Sequence, residues 1–239
     1  MSVVFPQDAI VEFLRRRITD PRSTIDGDNA RTYTPTTETF SGDDTTKEFS
    51  LSPPTGSVSY IDSVVVDSET KKKWRDYYLD FKNQKIVFFD APASGSYNIS
   101  VTYYYGAKNW IYPDRPLTSL SLVSFPRISV LVVSGVGERL GQYNSDIESS
   151  IRFQIDIFTK EGGANEFELD GRNMEGEELG IYLGHQVIKA FRSYEDDLHP
   201  ILYNYTLLSI PRSLGWNAEY QAFHIIVEVE LNTINQGEV

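Results

Sequence analysis

The 239-residue sequence predicts an α+β fold, in which an antiparallel sheet is packed by an N-terminal helix and a second helix. A small all-β sandwich or barrel module is predicted to be inserted into it. Three observations support this fold class. Residues 40–106 contain short β-branched and aromatic runs between turn residues. Residues 128–135, 151–157 and 220–231 have strand patterns, and residues 177–194 carry apolar residues at helical spacing.

These patterns divide the chain into three segments. Residues 1–34 are predicted to form a helix and an arm that belong to the α+β body. Residues 35–106 are predicted to be the inserted β module, and residues 107–239 the remainder of the body. The chain is long enough to bury one or two hydrophobic cores.

The first predicted element is an N-terminal helix. Pro6 suits its first turn, and Asp20-Pro21 ends it. Arg15, Arg16 and Arg17 fall in the last turn, where the helix dipole favours cations. A patch that docks a partner or touches DNA is the alternative interpretation of this triplet. The apolar residues that share one helix face are Ile10, Val11, Phe13, Leu14 and Ile18.

The β module follows a Thr- and Asp-rich segment, residues 22–38, which is predicted to be a linker or extended arm. Strand composition is found at residues 63–66, 85–89 and 97–105. A turn at residues 42–44 contains two aspartates, but their spacing differs from that of an EF-hand calcium loop. The module therefore contains strands and turns without a predicted metal site.

A basic run lies in the middle of the module. Lys71, Lys72, Lys73 and Trp74 are followed by a further arginine. A solvated hairpin tip is the simpler interpretation of this run. A knob that docks an acidic neighbour is the alternative.

An aromatic-rich segment closes the module. It comprises residues 103–105, which are three consecutive tyrosines, together with Trp110 and Tyr112. Such a segment is typical of a core seam, because aromatic side chains bury large areas. A carbohydrate-binding platform is the alternative, and it would make the module a host-recognition element.

A glycine-rich segment follows the predicted strand at residues 128–135. It includes Gly135, Gly137 and Arg139 in a G-x-G-x-x-x-G pattern. The next strand begins too soon for the crossover helix that a dinucleotide-binding unit requires. The segment is therefore predicted to be a mobile hairpin loop.

The C-terminal half continues with a long loop at residues 161–175 and the helix at residues 177–194. Two strands follow at residues 203–210 and 220–231. The apolar helix face is expected to cover the sheet. The helix residues that share this face are Leu179, Leu183, Val187, Ala190, Phe191 and Tyr194.

No catalytic, cofactor-binding or metal-ligating residue is predicted. The sequence has no cysteine and only three histidines, His185, His199 and His224. His224 shares a strand face with Glu228 and Glu230, but the strand rise places the three too far apart for one metal ion. Adjacent carboxylates diverge in helices and strands, so they do not form an acid–base pair.

Charge argues against tight nucleic-acid binding. The net charge is -12, and residues 106–239 contain 10 Lys and Arg against 19 Asp and Glu. The acidic surface suits simple solubility or a conduit wall along which DNA slides. No apolar run is long enough to span a membrane, so a soluble protein made in the cytoplasm is expected.

The module resembles β modules in structural proteins of tailed bacterial and archaeal viruses. The matching features are a Phe-x-Gly-Asp start at residues 40–43, an Asp-Tyr pair at residues 76–77, an Ala-Pro-x-x-Gly turn at residues 91–95 and a Tyr-Tyr-Tyr-Gly end at residues 103–106. The resemblance covers about a quarter of the chain.

The remainder resembles the tail-terminator and tail-completion proteins at the neck of tailed viruses. The likeness rests on the helix at residues 10–18, the strand at residues 153–158, the helix at residues 179–194 and the strand at residues 223–231. The inserted module and the loop at residues 161–175 depart from that pattern.

The resemblance implies a late, non-enzymatic virion protein that forms a homo-oligomeric ring, six-fold in symmetry. Its partners would be further copies of itself, the head–tail connector and the tail-tube proteins, with viral DNA passing through the lumen. The partner-facing residues predicted for such a ring are Arg15, Arg16, Arg17, Lys71, Lys72, Lys73, Trp74, Gly135, Gly137 and Arg139. A tail-tip carbohydrate- or receptor-binding module is the main alternative, and a tail-associated hydrolase ranks third.

Overall fold

A computed structural model describes residues 6–24, 33–106, 109–113, 125–139, 147–194, 198, 204–207 and 209–235. These residues form a mixed α+β fold with mostly antiparallel strands and two α-helices, in agreement with the predicted α+β class. No helix within these ranges is long and apolar enough to cross a membrane. The chain divides into two compact units, unit 1 (Met1–Arg16 and Arg31–Asn109) and unit 2 (Arg17–Ala30 and Trp110–Val239).

Unit 1 contains helix α1 (Pro6–Arg17), apart from its last residue, and two antiparallel sheets. The first sheet has the strand order β1-β7-β3-β4, and the second has the order β2-β6-β5. The strands are β1 (Thr34–Gly42), β2 (Glu48–Ser50), β3 (Ser57–Val66), β4 (Glu69–Thr70), β5 (Tyr77–Asp80), β6 (Lys85–Phe88) and β7 (Gly95–Gly106).

The two sheets of unit 1 contribute to one hydrophobic core. Along β7, Ile99, Val101 and Tyr103 alternate with more exposed residues and are fully buried. Residues of β2, β3, β5 and β6 complete the same cluster. Its buried members are Phe49, Leu51, Val58, Ile61, Val64, Val66, Tyr77, Leu79, Ile86, Phe88, Ile99, Val101 and Tyr103.

Helix α1 satisfies backbone groups on the outer edge of β3. Glu12 Oε1 accepts a hydrogen bond from Ile61 N at 2.8 Å and pairs with Lys73 Nζ at 2.6 Å. Lys73 Nζ also donates to Ile61 O at 2.7 Å, and Arg15 donates to Ser59 O at 3.3 Å. Since β4 pairs only with the last two residues of β3, these side chains act where a neighbouring strand would otherwise bond.

These contacts explain why the unit boundaries differ from the predicted segments. The sequence patterns predict that residues 1–34 belong to the C-terminal body, whereas Met1–Arg16 falls in unit 1 with the β module. The bonds from Glu12 and Arg15 to β3 join residues more than 40 positions apart in the chain. Such tertiary contacts cannot be recognised from the helical spacing of α1 alone.

Unit 2 contains helix α2 (Gly176–Ser193), which agrees with the helix expected at residues 177–194. Its main sheet has the order β13-β15-β10-β9-β8, and β14 also pairs with β15. The β8–β9 pair is parallel and the others are antiparallel. The strands are β8 (Ile111–Tyr112), β9 (Arg127–Arg139), β10 (Ile147–Thr159), β11 (Phe167–Leu169), β12 (Arg172–Met174), β13 (Asn204–Leu207), β14 (Arg212–Asn217) and β15 (Ala222–Asn235).

Apolar rows cross the three long strands of the main sheet. Val130, Ile155 and Val227 form one such row across β9, β10 and β15, and all three are fully buried. Helix α2 covers this face closely, because a Cβ added at Gly180 would lie 2.1 Å from Ile225 Cδ1. Glycine at this position therefore lets the helix backbone approach β15.

Several segments predicted to be linkers or loops form regular elements. Pro21–Thr24 is a 3-10 helix and Thr34 begins β1, although both lie at the ends of the predicted linker; residues 25–32 are outside the described part. In the predicted loop at residues 161–175, Gly163–Asn165 is a 3-10 helix, and β11 and β12 form a hairpin. Strand β14 was not predicted. Tertiary pairing outweighs the turn propensity of these polar stretches.

Substitution of Gly42 by alanine is expected to destabilise unit 1 by about 1–3 kcal/mol, the usual cost of overpacking. A Cβ at Gly42 would lie 2.1 Å from the backbone oxygen of Ala93, so the strand itself would have to move. Gly135→Ala is the matched control, because its Cβ would meet Ser150 O at an ordinary 3.8 Å. Urea denaturation of the two variants checks this, and equal losses would contradict it.

Replacement of Asp8 by asparagine is expected to stabilise unit 1 at pH 7. Burial raises the pKa of Asp8, and the nearby Asp80 and Glu12 carboxylates raise it further against the opposing effect of Arg15. Folding therefore binds the Asp8 proton more tightly, so the contribution of this group is favourable at low pH and is lost as pH rises through the raised pKa. The gain from Asp8→Asn should disappear near pH 3, below the ordinary value of 3.8.

Asp43→Asn is the control for this pH dependence, because its effect on stability at pH 7 should have the opposite sign. Hydrogen bonds from Thr46 and Thr45 lower the pKa of Asp43, so its carboxylate stabilises the fold above the ordinary pKa. This variant should lose stability at pH 7, and the loss should fade as pH falls below about 4. Thermal unfolding at pH 3 and pH 7 measures both variants, and the same sign for both would contradict the account.

Candidate interaction surface

The first exposed feature of unit 2 is the β9 edge, defined as residues 131–135. On its inner side β9 pairs with β10, but on its outer side β8 pairs only with Ile128 and Ser129. A register shift beside Val132 leaves Val133 without a partner on β10, so the strand bulges there. Val132 and Val133 are 51% and 54% exposed. The edge thus presents two large apolar side chains to solvent.

The second exposed feature is the β14 edge, defined as Ile210 together with β14. One side of β14 pairs with β15, and no strand among the described residues pairs with the other side. Leu214, Trp216 and Ile210 are 53%, 55% and 78% exposed. Trp216 packs edge-on against Phe223 at 5.4 Å between ring centroids, which fixes the indole at this edge. Both outer edges of the sheet therefore carry apolar side chains.

On the sheet face opposite α2, the middle parts of β10 and β15 carry polar side chains, and this region is called the polar face. Arg152 pairs with Glu230 at 3.4 Å across β10 and β15. Asp156 Oδ1 lies 3.0 Å from His224 Nε2 and accepts a hydrogen bond from Gln154 Nε2 at 2.6 Å. The Asp156 side chain is 2% exposed, and these two neighbours offset the cost of burying it. The face combines one partly exposed ion pair with one buried hydrogen-bonded group.

This polar face lacks the order of groups that nucleophilic catalysis by a Ser-His-Asp triad requires. Ser129 lies opposite Asp156 in the β9–β10 register, and His224 contacts Asp156 from β15. The carboxylate therefore lies between the hydroxyl and the imidazole, whereas a triad needs the imidazole between the other two. The described ranges contain no group of three metal-ligating side chains. His199 lies outside those ranges.

A cleft in unit 1 is lined partly by charged side chains, as a small-molecule site could be. Asp67, Lys71, Asp76 and Asp90 contribute its charged lining, and its volume is about 220 Å³. Asp76 accepts a hydrogen bond from Lys72 N, and Asp67 accepts one from the Asn98 side chain. Small-molecule sites are generally larger, about 300–1,000 Å³. Asp67 and Asp76 are thus already engaged by groups of unit 1.

The predicted arginine triplet is split between different environments. Arg15 is buried and bonds to Ser59 O, with its guanidinium 4.8 Å from the Phe81 ring centroid. Arg16 is exposed and lies 3.9 Å from Asp62. Arg17 stacks over Tyr194 at 4.2 Å within unit 2. Arg15 is therefore a structural residue, and Arg16 is the most accessible of the three.

The basic run of unit 1 is only partly a solvated tip. Lys72 is exposed, and Lys71 pairs with the exposed Glu69 at 2.6 Å. Lys73 instead reaches the buried Glu12, and Trp74 is 7% exposed. Two of the four residues proposed to face a partner are thus engaged inside the unit.

The glycine segment forms part of a strand rather than a loop. Gly135 and Gly137 pair with Ile151 and Ser149, and Arg139 pairs with Ile147 at the end of β9. Residues 140 and 141, the end of the predicted loop, lie outside the described part. Glycine is typical of turns, but the long run of pairing between β9 and β10 determines the backbone conformation at these glycines.

The aromatic end of the module is largely internal. Tyr103 and Trp110 are fully buried in units 1 and 2 respectively. Tyr103 O–H donates to Glu38, and burial followed by this bond raises the pKa of the phenol. Tyr104 stacks on Tyr60 at 4.8 Å. These contacts favour the core-seam interpretation for Tyr103 and Trp110.

Sequence reasoning missed the apolar residues of the two edges. Val132 and Val133 belong to the apolar run at residues 128–133, which is typical of a strand buried on both faces. Leu214 and Trp216 alternate with less exposed neighbours in β14, a weak period-2 signal over six residues. Their exposure depends on the position of each strand at the sheet edge, which local sequence does not specify.

Comparison with protein-family models, with curated proteins and with solved structures finds no match to this chain.

Proposed function

We propose that the chain is a structural, non-enzymatic virion protein of a tailed virus. In this proposal it is a neck or tail-terminator subunit that is made in the host cytoplasm and forms a homo-oligomeric ring, a hexamer. The ring joins the head connector to the tail tube and lets viral DNA pass through its lumen.

The open sheet of unit 2 is the observation that supports this proposal most. Its three longest strands have 13 or 14 residues, one face is covered by α2, and both outer edges carry exposed apolar side chains. An exposed edge with apolar side chains is a site for strand pairing or association. Two different edges on one subunit suit a head-to-tail interface, which closes into a ring when the rotation permits.

The polar sheet face supports the passage of DNA without tight binding. It carries the carboxylates of Glu228 and Glu230 against the single guanidinium of Arg152 on β10 and β15. Phosphate binding would require cations to release counterions from the DNA, and this face offers few. An acidic wall instead repels the phosphate backbone.

Unit 1 is proposed to be a small β sandwich that contacts another component of the neck. Its two sheets share one hydrophobic core, which supports the sandwich form of the predicted module. The connector or the tail tube would be its partner. Arg16 and Lys72 are the exposed cations of the two predicted basic patches.

Electron microscopy of the purified oligomer tests the proposed function. We expect closed rings with a central channel, and particles without a channel would contradict the proposal. A compact trimer that binds oligosaccharides would instead support the alternative, a tail-tip carbohydrate- or receptor-binding module. Tyrosine and tryptophan fluorescence during glycan titration distinguishes the two functions.

A further inference from the structure

The β9 edge has the chemistry of a strand-docking site. Its inner backbone groups bond to β10, while from residue 131 onward no strand in the described ranges pairs with its outer side. Outward N–H and C=O groups of a strand edge are matched by another extended chain, which supplies donors and acceptors at the same spacing. The occupant of this edge should therefore be a β-strand.

The β9 edge also lacks the residues that usually prevent strand addition. Residues 128–137 contain no charged residue and no proline. Protected edges carry lysine, proline or inward-pointing charges that disfavour pairing. Val132 and Val133 add an exposed apolar surface beside the open backbone. This edge is consequently suited to association.

The β14 edge offers a strand with complementary properties. Leu214 and Trp216 place apolar side chains on its exposed positions, and its outer side is open in the described part of the chain. Pro211, which lacks an N–H, precedes β14, and Gly215 adopts a positive φ of 77° within it. Pairing at this edge is therefore confined to a short stretch.

We propose that the β9 edge of one copy receives the β14 edge of a second copy, so that the main sheet continues from subunit to subunit. This inference rests on the proposed ring function and specifies its interface. One head-to-tail contact covers both apolar edges at once. A symmetric β9–β9 pairing would leave Leu214, Trp216 and Ile210 exposed on every subunit. The head-to-tail arrangement therefore buries more of the exposed apolar surface.

Cysteine cross-linking tests this interface, and no cross-link can form through a native thiol because the chain has no native cysteine. The double variant Val132→Cys/Leu214→Cys, in the full chain, is treated with a short bis-maleimide and separated on a denaturing gel. We expect a ladder of covalent multimers. Each single variant should remain monomeric on the gel, and a 1:1 mixture of the two single variants should give a dimer and nothing larger.

Three results would overturn the inference. The first is a covalent dimer of Val132→Cys alone. The second is a Val132→Cys/Leu214→Cys variant that yields no covalent multimers. The third is the absence of covalent multimers from a second pair, Val133→Cys/Trp216→Cys, whose folding is confirmed by circular dichroism. If the unmodified chain still forms rings, only the interface is wrong and the proposed function stands. If the ladder forms but the particles are open filaments, the interface stands and the ring function fails.

Discussion

Replacing Glu12 with alanine is expected to destabilise unit 1 by about 3–5 kcal/mol, the usual cost of breaking a buried ion pair. The Glu12 and Lys73 side chains are only 1% and 14% exposed, and Oε1 and Nζ lie 2.6 Å apart. Removing the carboxylate leaves the Lys73 ammonium partly buried and removes the acceptor for Ile61 N. A loss of this size is a large fraction of the stability of a typical domain.

The matched control for Glu12→Ala is Glu69→Ala. Glu69 and Lys71 lie at the same 2.6 Å distance, but the Glu69 side chain is 74% exposed. An exposed pair contributes about 1 kcal/mol or less, so this control should be nearly neutral. Native-state hydrogen exchange of the β3 amides measures both variants. Similar losses for the two substitutions would show that burial does not determine the contribution of these pairs.

Replacing Arg22 with alanine is expected to destabilise unit 2 by about 3–5 kcal/mol. Arg22 is fully buried, donates through Nε to Phe125 O, and donates through one terminal nitrogen to Asn165 Oδ1 at 2.7 Å. Its guanidinium also lies 5.5 Å from the Phe167 ring centroid. The substitution leaves two acceptors without this donor and opens a cavity.

Two further variants test the role of Arg22. Arg22→Lys should recover little stability, because an ammonium cannot reproduce the planar fork that reaches both acceptors. Arg152→Ala removes an arginine from an exposed pair with Glu230 and should cost about 1 kcal/mol or less. Urea denaturation provides the comparison. An Arg22→Ala loss no larger than the Arg152→Ala loss would contradict the structural role.

Regular elements with strong periodicity could be predicted from the sequence. Helix α2 was recognised from its apolar face, and β15 from alternating residues such as Val227 and Val229. Most residues that carry the two patterns are buried, so local sequence and tertiary structure agree there, whereas Tyr194 at the end of the predicted helix face is 42% exposed. The α+β class followed from these elements.

Features that depend on distant contacts could not be predicted. Arg22 lies in a stretch with linker composition, yet its partners Phe125 and Asn165 are more than 100 residues away in the chain. Lys73 belongs to a basic run that resembles a solvated tip, but it pairs with Glu12, 61 positions earlier. Tertiary contacts determine the environment of both residues, and neither has a local signal.

The candidate surface was predicted less completely than the fold. The sequence predicts that Gly135 faces a partner, but it places this glycine in a loop and gives no such role to its exposed neighbours Val132 and Val133. The β14 edge was absent from the prediction, because a six-residue strand containing Gly215 has little strand propensity. Which strands lie at a sheet edge depends on topology rather than on composition.

The central claim is that the full chain assembles into a closed ring, and its mass in solution tests this most directly. Light scattering at increasing concentrations should show a mass that rises from 27.2 kDa and stops at one ring-sized species of about six chains. A mass that remains at one chain up to the solubility limit, or that stops at three chains, would contradict the claim.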